Sequence, residues 1–289
     1  MRYLILISIF CCVCQAVNAQ SNPGVDTSLK FNQRYTKCER KWVVMSKADT
    51  AKSYSFGFIY IDSQAGFTFD LKGVFKVGDK GKYILDTNIF KNTGSIKYRI
   101  APNWRRVALL SPQHYDELGI KAQPDWIKYY YNYTDTVAHD HRWGYIYNDV
   151  DEPTIALSYL EPAYRMKPHA DGVEFEMAYA YNVLNRFDDA IKTLEPAILN
   201  NPNNSFFYKE LGYAYSAKKD YEKAIDAYKR GLEHAADEKS DSKGELAFNM
   251  ANAYKAMGNM DEYKNWMIKA KSYTPTNSQY YKRITDAGF

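Results

Sequence analysis

The sequence predicts an α+β chain of two domains. A small antiparallel β-sandwich or open barrel comes first, then an all-α solenoid of about four helix pairs with a capping helix. Three observations predict this. Between residues 36 and 110 the apolar residues alternate with a period of two, the pattern of half-buried strands. Near residue 111 the period becomes helical. From there one phrase keeps returning: "WGYIYN" at 143–148, "MAYAYN" at 177–182, "LGYAYS" at 211–216 and "MANAYK" at 250–255. Such self-similarity marks a repeat architecture.

The chain opens with Arg2, an apolar run "YLILISIFCCVC" (3–14) and the small residues of "VNA" (17–19). This is the pattern of an export signal, and the run is too short to span a bilayer. Residues 1–19 are expected to be cleaved after Ala19, giving a periplasmic, envelope or secreted protein with no membrane span after cleavage. Three of the four cysteines lie in that leader. The mature chain keeps Cys38 alone and so is expected to hold no intramolecular disulfide. A net charge of +4, from 38 basic and 34 acidic side chains, gives no reason to expect nucleic acid as a partner. The unusual entry in the composition is 27 Tyr.

Within the β domain (36–110), "KWVVM" (41–45), "SYSFGFIYID" (53–62) and "GFTFDLKG" (66–73) read as strands. Tyr54, Phe56, Phe58 and Tyr60 share one face of the second. "DSQAG" joins it to the third as a hairpin loop, and "VFKVGDKGKYIL" (74–85) reads as a further hairpin. "IKYRI" (96–100) and "WRRVALL" (104–110) complete about six strands. A helical bridge (111–136) follows. Ser111, Pro112 and Gly119 mark the ends of one helix, and "PDWIKYYYNY" (124–133) reads as another.

The repeats align as 137–170, 171–204, 205–238 and, after the insert "KSDSK", 244–277. Position 7 of each copy is large: Trp143, Met177, Leu211 and Met250. Position 8 is small: Gly144, Ala178, Gly212 and Ala251. Position 11 is Tyr147, Tyr181, Tyr215 and Tyr254. Position 20 is Ala156, Ala190, Ala224 and then Tyr263; position 24 is Leu160, Leu194, Tyr228 and Met267. Position 27 is Ala163, Ala197, Gly231 and Ala270, and position 32 is Pro168, Pro202, Ala236 and Pro275. Small residues let two helix axes approach, large ones fill the seam, and the proline stops the second helix. Asp171 with Glu174, and Ser242 with Glu245, are spaced as capping boxes. Gly258 is placed to end a helix, and 278–289 to cap the array.

This pattern closely resembles the tetratricopeptide repeat family over about 141 residues, with Tyr263 and Ala236 as departures. The usual aromatic of position 4 is also mostly missing: Asp140, Glu174 and Ala247 stand there beside Tyr208. The resemblance implies that the first helix of each pair lines a concave groove, with positions 2, 5, 9, 12 and 13 pointing into it. Carried over, position 9 offers Tyr145, Tyr179, Tyr213 and Asn252; position 12 offers Asn148, Asn182, Ser216 and Lys255. Position 5 offers His141, Phe175, Lys209 and Phe248. Rings beside amides suit an extended peptide or a sugar. The groove departs from the type that clamps a C-terminal carboxylate, because Tyr213 stands where that type carries Asn.

Signs of chemistry are few. In "HDH" (139–141) the two histidines fall on different faces of a helix, a poor metal pair. Asp188 and Asp189 suit a helix start, and "GDKG" lacks phosphate-loop spacing. No catalytic residue, metal or cofactor is expected. The reading is a non-enzymatic, exported scaffold that grips an unidentified protein or peptide partner. One alternative is a glycan- or small-ligand-binding protein that reads with the aromatic β domain; another is an enzyme of unrecognised type.

Overall fold

The computed structural model describes residues 26–48, 50–87 and 96–289. The leader, with its expected cleavage after Ala19, lies outside the described residues. Among the described residues six strands are present: β1 (Lys41–Met45), β2 (Tyr54–Asp62), β3 (Gly66–Val77), β4 (Tyr83–Leu85), β5 (Ile96–Arg99) and β6 (Val107–Leu109). They form one sheet in the order β4-β3-β2-β1-β6, with β5 paired to β3. β1 runs antiparallel to both neighbours, Val43 opposite Gly57 and Val44 opposite Ala108. The described strands therefore make one sheet, the β region that the sequence predicts.

Two strand details differ from expectation. "GFTFDLKG" and "VFKV" fuse into the single long strand β3, whose Gly73 leaves room for the Phe56 ring. β2 and β3 are also not half-buried. Ile59 and Ile61 on one face of β2 are as inaccessible as Phe56 and Phe58 on the other, and Thr68 and Asp70 of β3 are buried too. The hairpin turn "GDKG" is as expected, with Lys80 and Gly81 at positive φ.

The chain divides into two compact units. The described residues of the first are 26–48, 50–59, 70–87, 96–97 and 105–124. Its core is aromatic: Trp42 meets Phe58 edge-on at 5.0 Å, and Phe75 stacks on Tyr83 at 4.1 Å. His114 covers the other side of Tyr83 at 3.7 Å. Glu117 ties this corner by accepting from the Tyr83 amide and pairing with His114 Nδ1, each at 2.8 Å. The helices expected in 111–133 are single 3-10 turns, Pro112–His114 and Asp125–Tyr129, and Ser111 makes no side-chain cap. Cys38 is buried and unpaired, and burial pushes its thiol up to about 11.

The second unit comprises Tyr60–Phe69, Tyr98–Trp104 and Asp125–Phe289. Its helices are α1 (Thr136–Asp149), α2 (Pro153–Met166), α3 (Val173–Val183), α4 (Phe187–Asn200), α5 (Ser205–Ala217), α6 (Tyr221–Glu233), α7 (Asp241–Ala256), α8 (Met260–Tyr273) and α9 (Gln279–Asp286). The first eight pair as four copies, each packed on the next. The small positions do what their size suggests. A Cβ added at Gly144 would strike Leu160, and one at Gly212 would strike Tyr228, so positions 8 and 24 share one space. Ala156, Ala190 and Ala224 are fully buried.

Each pair turns the same way. Asp151, Asn185, Lys219 and Gly258, all at position 15, adopt positive φ of 60°, 59°, 65° and 78°. The next amide in each copy then donates back to the carbonyl of the position-11 tyrosine: Tyr147, Tyr181, Tyr215 and Tyr254. This satisfies a carbonyl that the helix end would leave bare. The capping boxes are corrected. α3 starts from Gly172 with no side-chain cap, and Glu174 instead pairs with His169 at 2.6 Å. α7 is capped by Ser240, so Ser242 falls inside the helix. Pro162 and Pro196 stand inside α2 and α4, beyond the proline slot read from the sequence.

Both ends of the array are covered within this unit. At the start, Phe67 meets Tyr147 edge-on at 5.4 Å, and the Arg142 guanidinium donates to the carbonyls of Ser63 and Gln64. At the end, Ile284 of α9 joins Ala247, Ala251, Tyr263 and Met267 in one cluster. Tyr263, oversized for its slot, packs edge-on against Phe289 at 5.5 Å. A repeat stack needs such covers because its terminal units lack a neighbour.

Candidate partner-binding cleft

The first helices of successive pairs touch one another, α1 to α3, α3 to α5 and α5 to α7. On this face a cleft of about 210 Å³ is lined by Tyr179, Asn182 and Val183 of α3, Lys209, Glu210 and Tyr213 of α5, and Glu245 and Asn249 of α7. The helical period explains the lining. Positions 5, 6, 9 and 12 lie on one side of a helix, while position 11 turns towards the partner helix. Tyr179 and Tyr213 are accordingly 38% and 47% exposed.

The floor of the cleft is polar and shielded. Asn182 Nδ2 donates to the backbone carbonyl of Glu210 at 3.1 Å and to its Oε2 at 3.0 Å. One copy earlier, Asn148 Nδ2 makes the same two bonds to Glu176, at 3.0 and 2.7 Å. Lys209 Nζ lies 3.4 Å from Glu210 Oε1 and 3.2 Å from Glu245 Oε2. Burial holds the Glu210 and Glu176 carboxyls above their ordinary value, against the pull of Lys209 and the asparagine amides. Burial also raises the Tyr179 hydroxyl, helped by the carboxylates of Glu210, Asp151 and Glu176.

The sequence-predicted groove residues separate into several groups. Tyr179, Asn182, Lys209 and Tyr213 come together in this cleft. Tyr145 lines a different one, with Arg142, Arg99 and Asp149, and its ring lies under the Arg142 guanidinium at 5.0 Å. Asn148 is 6% exposed and Asn182 3%, so these amides tie copies together and do not stand free in a groove. Ser216 lies 3.4 Å from the Tyr228 hydroxyl, towards the seam. Lys255 extends over the Tyr263 ring at 5.0 Å, away from the cleft. Phe175 packs on Phe206, and Phe248 on Tyr280 of α9. Asn252 is exposed on α7 outside the cleft lining. His141 is half-buried against Gly172, and burial lowers its pKa.

Sequence reasoning missed Glu176, Glu210, Glu245 and Asn249. A signal existed for three of them, for Glu245 because it stands at position 2 of the fourth copy. Asn148 and Glu176, like Asn182 and Glu210, are 28 residues apart, the separation from position 12 of one copy to position 6 of the next.

Two family models, both described as tetratricopeptide repeat, match residues 152–211 and residues 208–237 and 244–277. Residues 152–237 and 244–277 thus consist of tetratricopeptide repeats (TPR). The last match coincides with the fourth copy set from the sequence, and α1 precedes the first match. Among solved structures the chain is similar to TTC0263, a thermophilic TPR protein of Thermus thermophilus, at 19% identity, with 52% of this chain and 80% of that chain covered and a TM-score of 0.46. It is also similar to MamA, at 21% identity, 53% and 81% coverage and a TM-score of 0.42. A third is the Sgt2 TPR domain of Aspergillus fumigatus, at 20% identity, 44% and 83% coverage and a TM-score of 0.40. A search of curated proteins finds no match. The TPR array is a scaffold for protein interaction. Among the described residues no helix is long and apolar enough to cross a membrane.

Proposed function

We propose that this TPR protein is exported, loses residues 1–19, and serves in the cell envelope as a non-enzymatic scaffold that holds an extended segment of a protein partner in the α3–α5–α7 cleft. The observation that carries this reading is the split between neighbouring tyrosines. Tyr179 and Tyr213 present their rings to solvent beside a polar floor, while Tyr181 is buried in the seam. Large exposed aromatics next to shielded hydrogen-bonding groups are what a binding site offers. The glycan reading relied on the aromatic face of the sheet. Tyr54, Phe56, Phe58 and Tyr60 are all at most 4% exposed, so that face is occupied by the core.

The test is photo-crosslinking in the native host. A benzophenone amino acid at position 213 should capture a discrete protein, and the same group at Tyr129, exposed in its 3-10 turn, should not. Equal capture from both positions, or none from 213, would refute the reading. Intact mass of the purified protein checks export; a chain still beginning at Met1 would refute that part.

A further inference from the structure

The polar groups of the cleft do not balance. Among the described residues that line it, Lys209 is the one cation, and two carboxylates, Glu210 and Glu245, already hold its ammonium. Glu245 also accepts from the Tyr280 hydroxyl, and its side chain remains 22% exposed. The Asn182 amide has a fixed orientation. Its Nδ2 faces two acceptors of Glu210, so turning the amide over would set Oδ1 against both of them. Asn182 Oδ1 is therefore an acceptor, and it is buried with no hydrogen-bond partner among the described residues. A buried acceptor left unmade costs its desolvation, and such atoms are uncommon in folded proteins. Asn148 Oδ1 is left in the same way one copy earlier, but it does not line this cleft.

The walls have the same sign as the floor. The faces of Tyr179 and Tyr213 carry the negative side of the ring quadrupole. The lining beside these rings holds two carboxylates, Glu210 and Glu245, against one ammonium, Lys209. A carboxylate entering here would meet acceptors and like charge. A cation carrying N–H donors would meet the partly open Glu245 carboxylate beside two exposed aromatic rings, with the unpaired Asn182 Oδ1 just beneath the surface. This reverses the anionic preference that lysines in a groove suggest, because Lys209 is already neutralised and Lys255 points elsewhere.

We infer that the cleft between α3, α5 and α7 receives a lysine or arginine side chain from an extended segment of the partner, beside Tyr179 and Tyr213, with Glu245 as its acceptor and the negative end of the buried Asn182 amide favouring its charge. The inference rests on the proposal that this cleft is the partner's site.

The experiment uses the full mature chain and five blocked nonapeptides, identical in their Gly, Ser and Ala flanks and differing only at the centre: Arg, Lys, Gln, Leu or Glu. Binding is followed by NMR of the labelled tyrosine rings and the Asn182 amide. The Arg and Lys peptides should bind roughly tenfold more tightly than the Gln and Glu peptides, the scale of a partly shielded cation–π site. The advantage should shrink as salt rises. Asn249→Lys, which puts a second cation at the cleft wall, should remove the preference. Should that variant fold poorly, Glu245→Gln keeps acceptors for Lys209 and Tyr280 and should still reduce it. Peptides that perturb Tyr179 and Tyr213 equally whatever their central residue, or with Glu preferred, would overturn the cation inference and leave the cleft as the binding site. A preference unchanged in both folded variants would overturn it as well. Peptides that perturb neither tyrosine would sink the cleft reading itself, and this inference with it.

Discussion

In α3, Tyr181 is 6% exposed; it donates its hydroxyl to Glu161 at 3.0 Å and takes the Arg186 guanidinium over its ring at 4.5 Å. Two residues earlier on the same helix, Tyr179 is 38% exposed and lines the cleft. The pair recurs in α5, where Tyr213 is 47% exposed and Tyr215 is half-buried, bonded to Glu195 at 3.2 Å. Two steps along a helix turn a side chain through about 200°, so one ring serves the seam and the next serves the open face. The comparison teaches that residue type alone says little in a repeat protein. The slot a tyrosine occupies decides whether it holds the fold together or is left available.

The seam side can be broken hardest. Tyr181→Ala should cost about 3–5 kcal/mol, the range for truncating a buried aromatic, and should lower the melting temperature clearly. Any binding that remains below the transition should be unchanged. A variant that melts normally would place Tyr181 outside the seam.

A smaller effect sharpens the seam side. Lys219 holds a φ of 65° so that the Asp220 amide can reach the Tyr215 carbonyl at 2.9 Å. A side chain with a Cβ pays about 1–2 kcal/mol for that conformation, and glycine does not, though glycine loses more entropy on folding. Lys219→Gly is therefore expected to raise stability by about 1 kcal/mol or less, read from a denaturant melt. A fall in stability would mean that the entropy glycine loses outweighs the backbone strain it relieves.

The buried carboxyls between copies are marked by the shape of a pH curve. Burial holds the Glu176 and Glu210 carboxyls above the ordinary value of 4.5. The carboxylates of Glu210 and Asp149 raise Glu176 further, Glu245 raises Glu210, and Lys209 opposes at both. A carboxyl raised in the folded state binds its proton more tightly there than in the unfolded chain. Its ionised form is the costly one, so this pair's contribution to stability improves as pH falls from neutral through the raised values and worsens as pH rises through them. Glu176→Gln, which keeps an acceptor for Asn148, should flatten the melting-temperature profile between neutral pH and 4.5. An unchanged profile would show that Glu176 is not titrating in the seam.

Much of this comparison is legible in the sequence, and the failures have physical causes. The register can be read because packing leaves few choices: Gly144 must face Leu160 and Gly212 must face Tyr228. The αL turn can be read at Gly258 and less plainly at Asn185, because Asp151 and Lys219 adopt the same backbone without a residue that announces it. The asparagines of position 12 look like groove donors in the sequence. Their partners, Glu176 and Glu210, lie in the following copy, and only stacking brings the two together. Lys255 leaves the groove because Tyr263, the oversized residue at position 20, draws it over its ring. The sheet can be read as strands but not in its order, because alternation reports which residues are buried and not which strands pair.

The central claim is that position 9 binds and position 11 packs. The most direct measurement is to set Tyr179→Ala and Tyr213→Ala beside Tyr181→Ala, each melted and each titrated with the Arg-centred nonapeptide. The account predicts that the two cleft variants melt within about 0.5 kcal/mol of the parent, as exposed substitutions usually do, and lose most of their binding. Tyr181→Ala should melt early and still bind when folded. Cleft variants that melt early and bind normally would contradict the account, and would make all of these tyrosines packing residues.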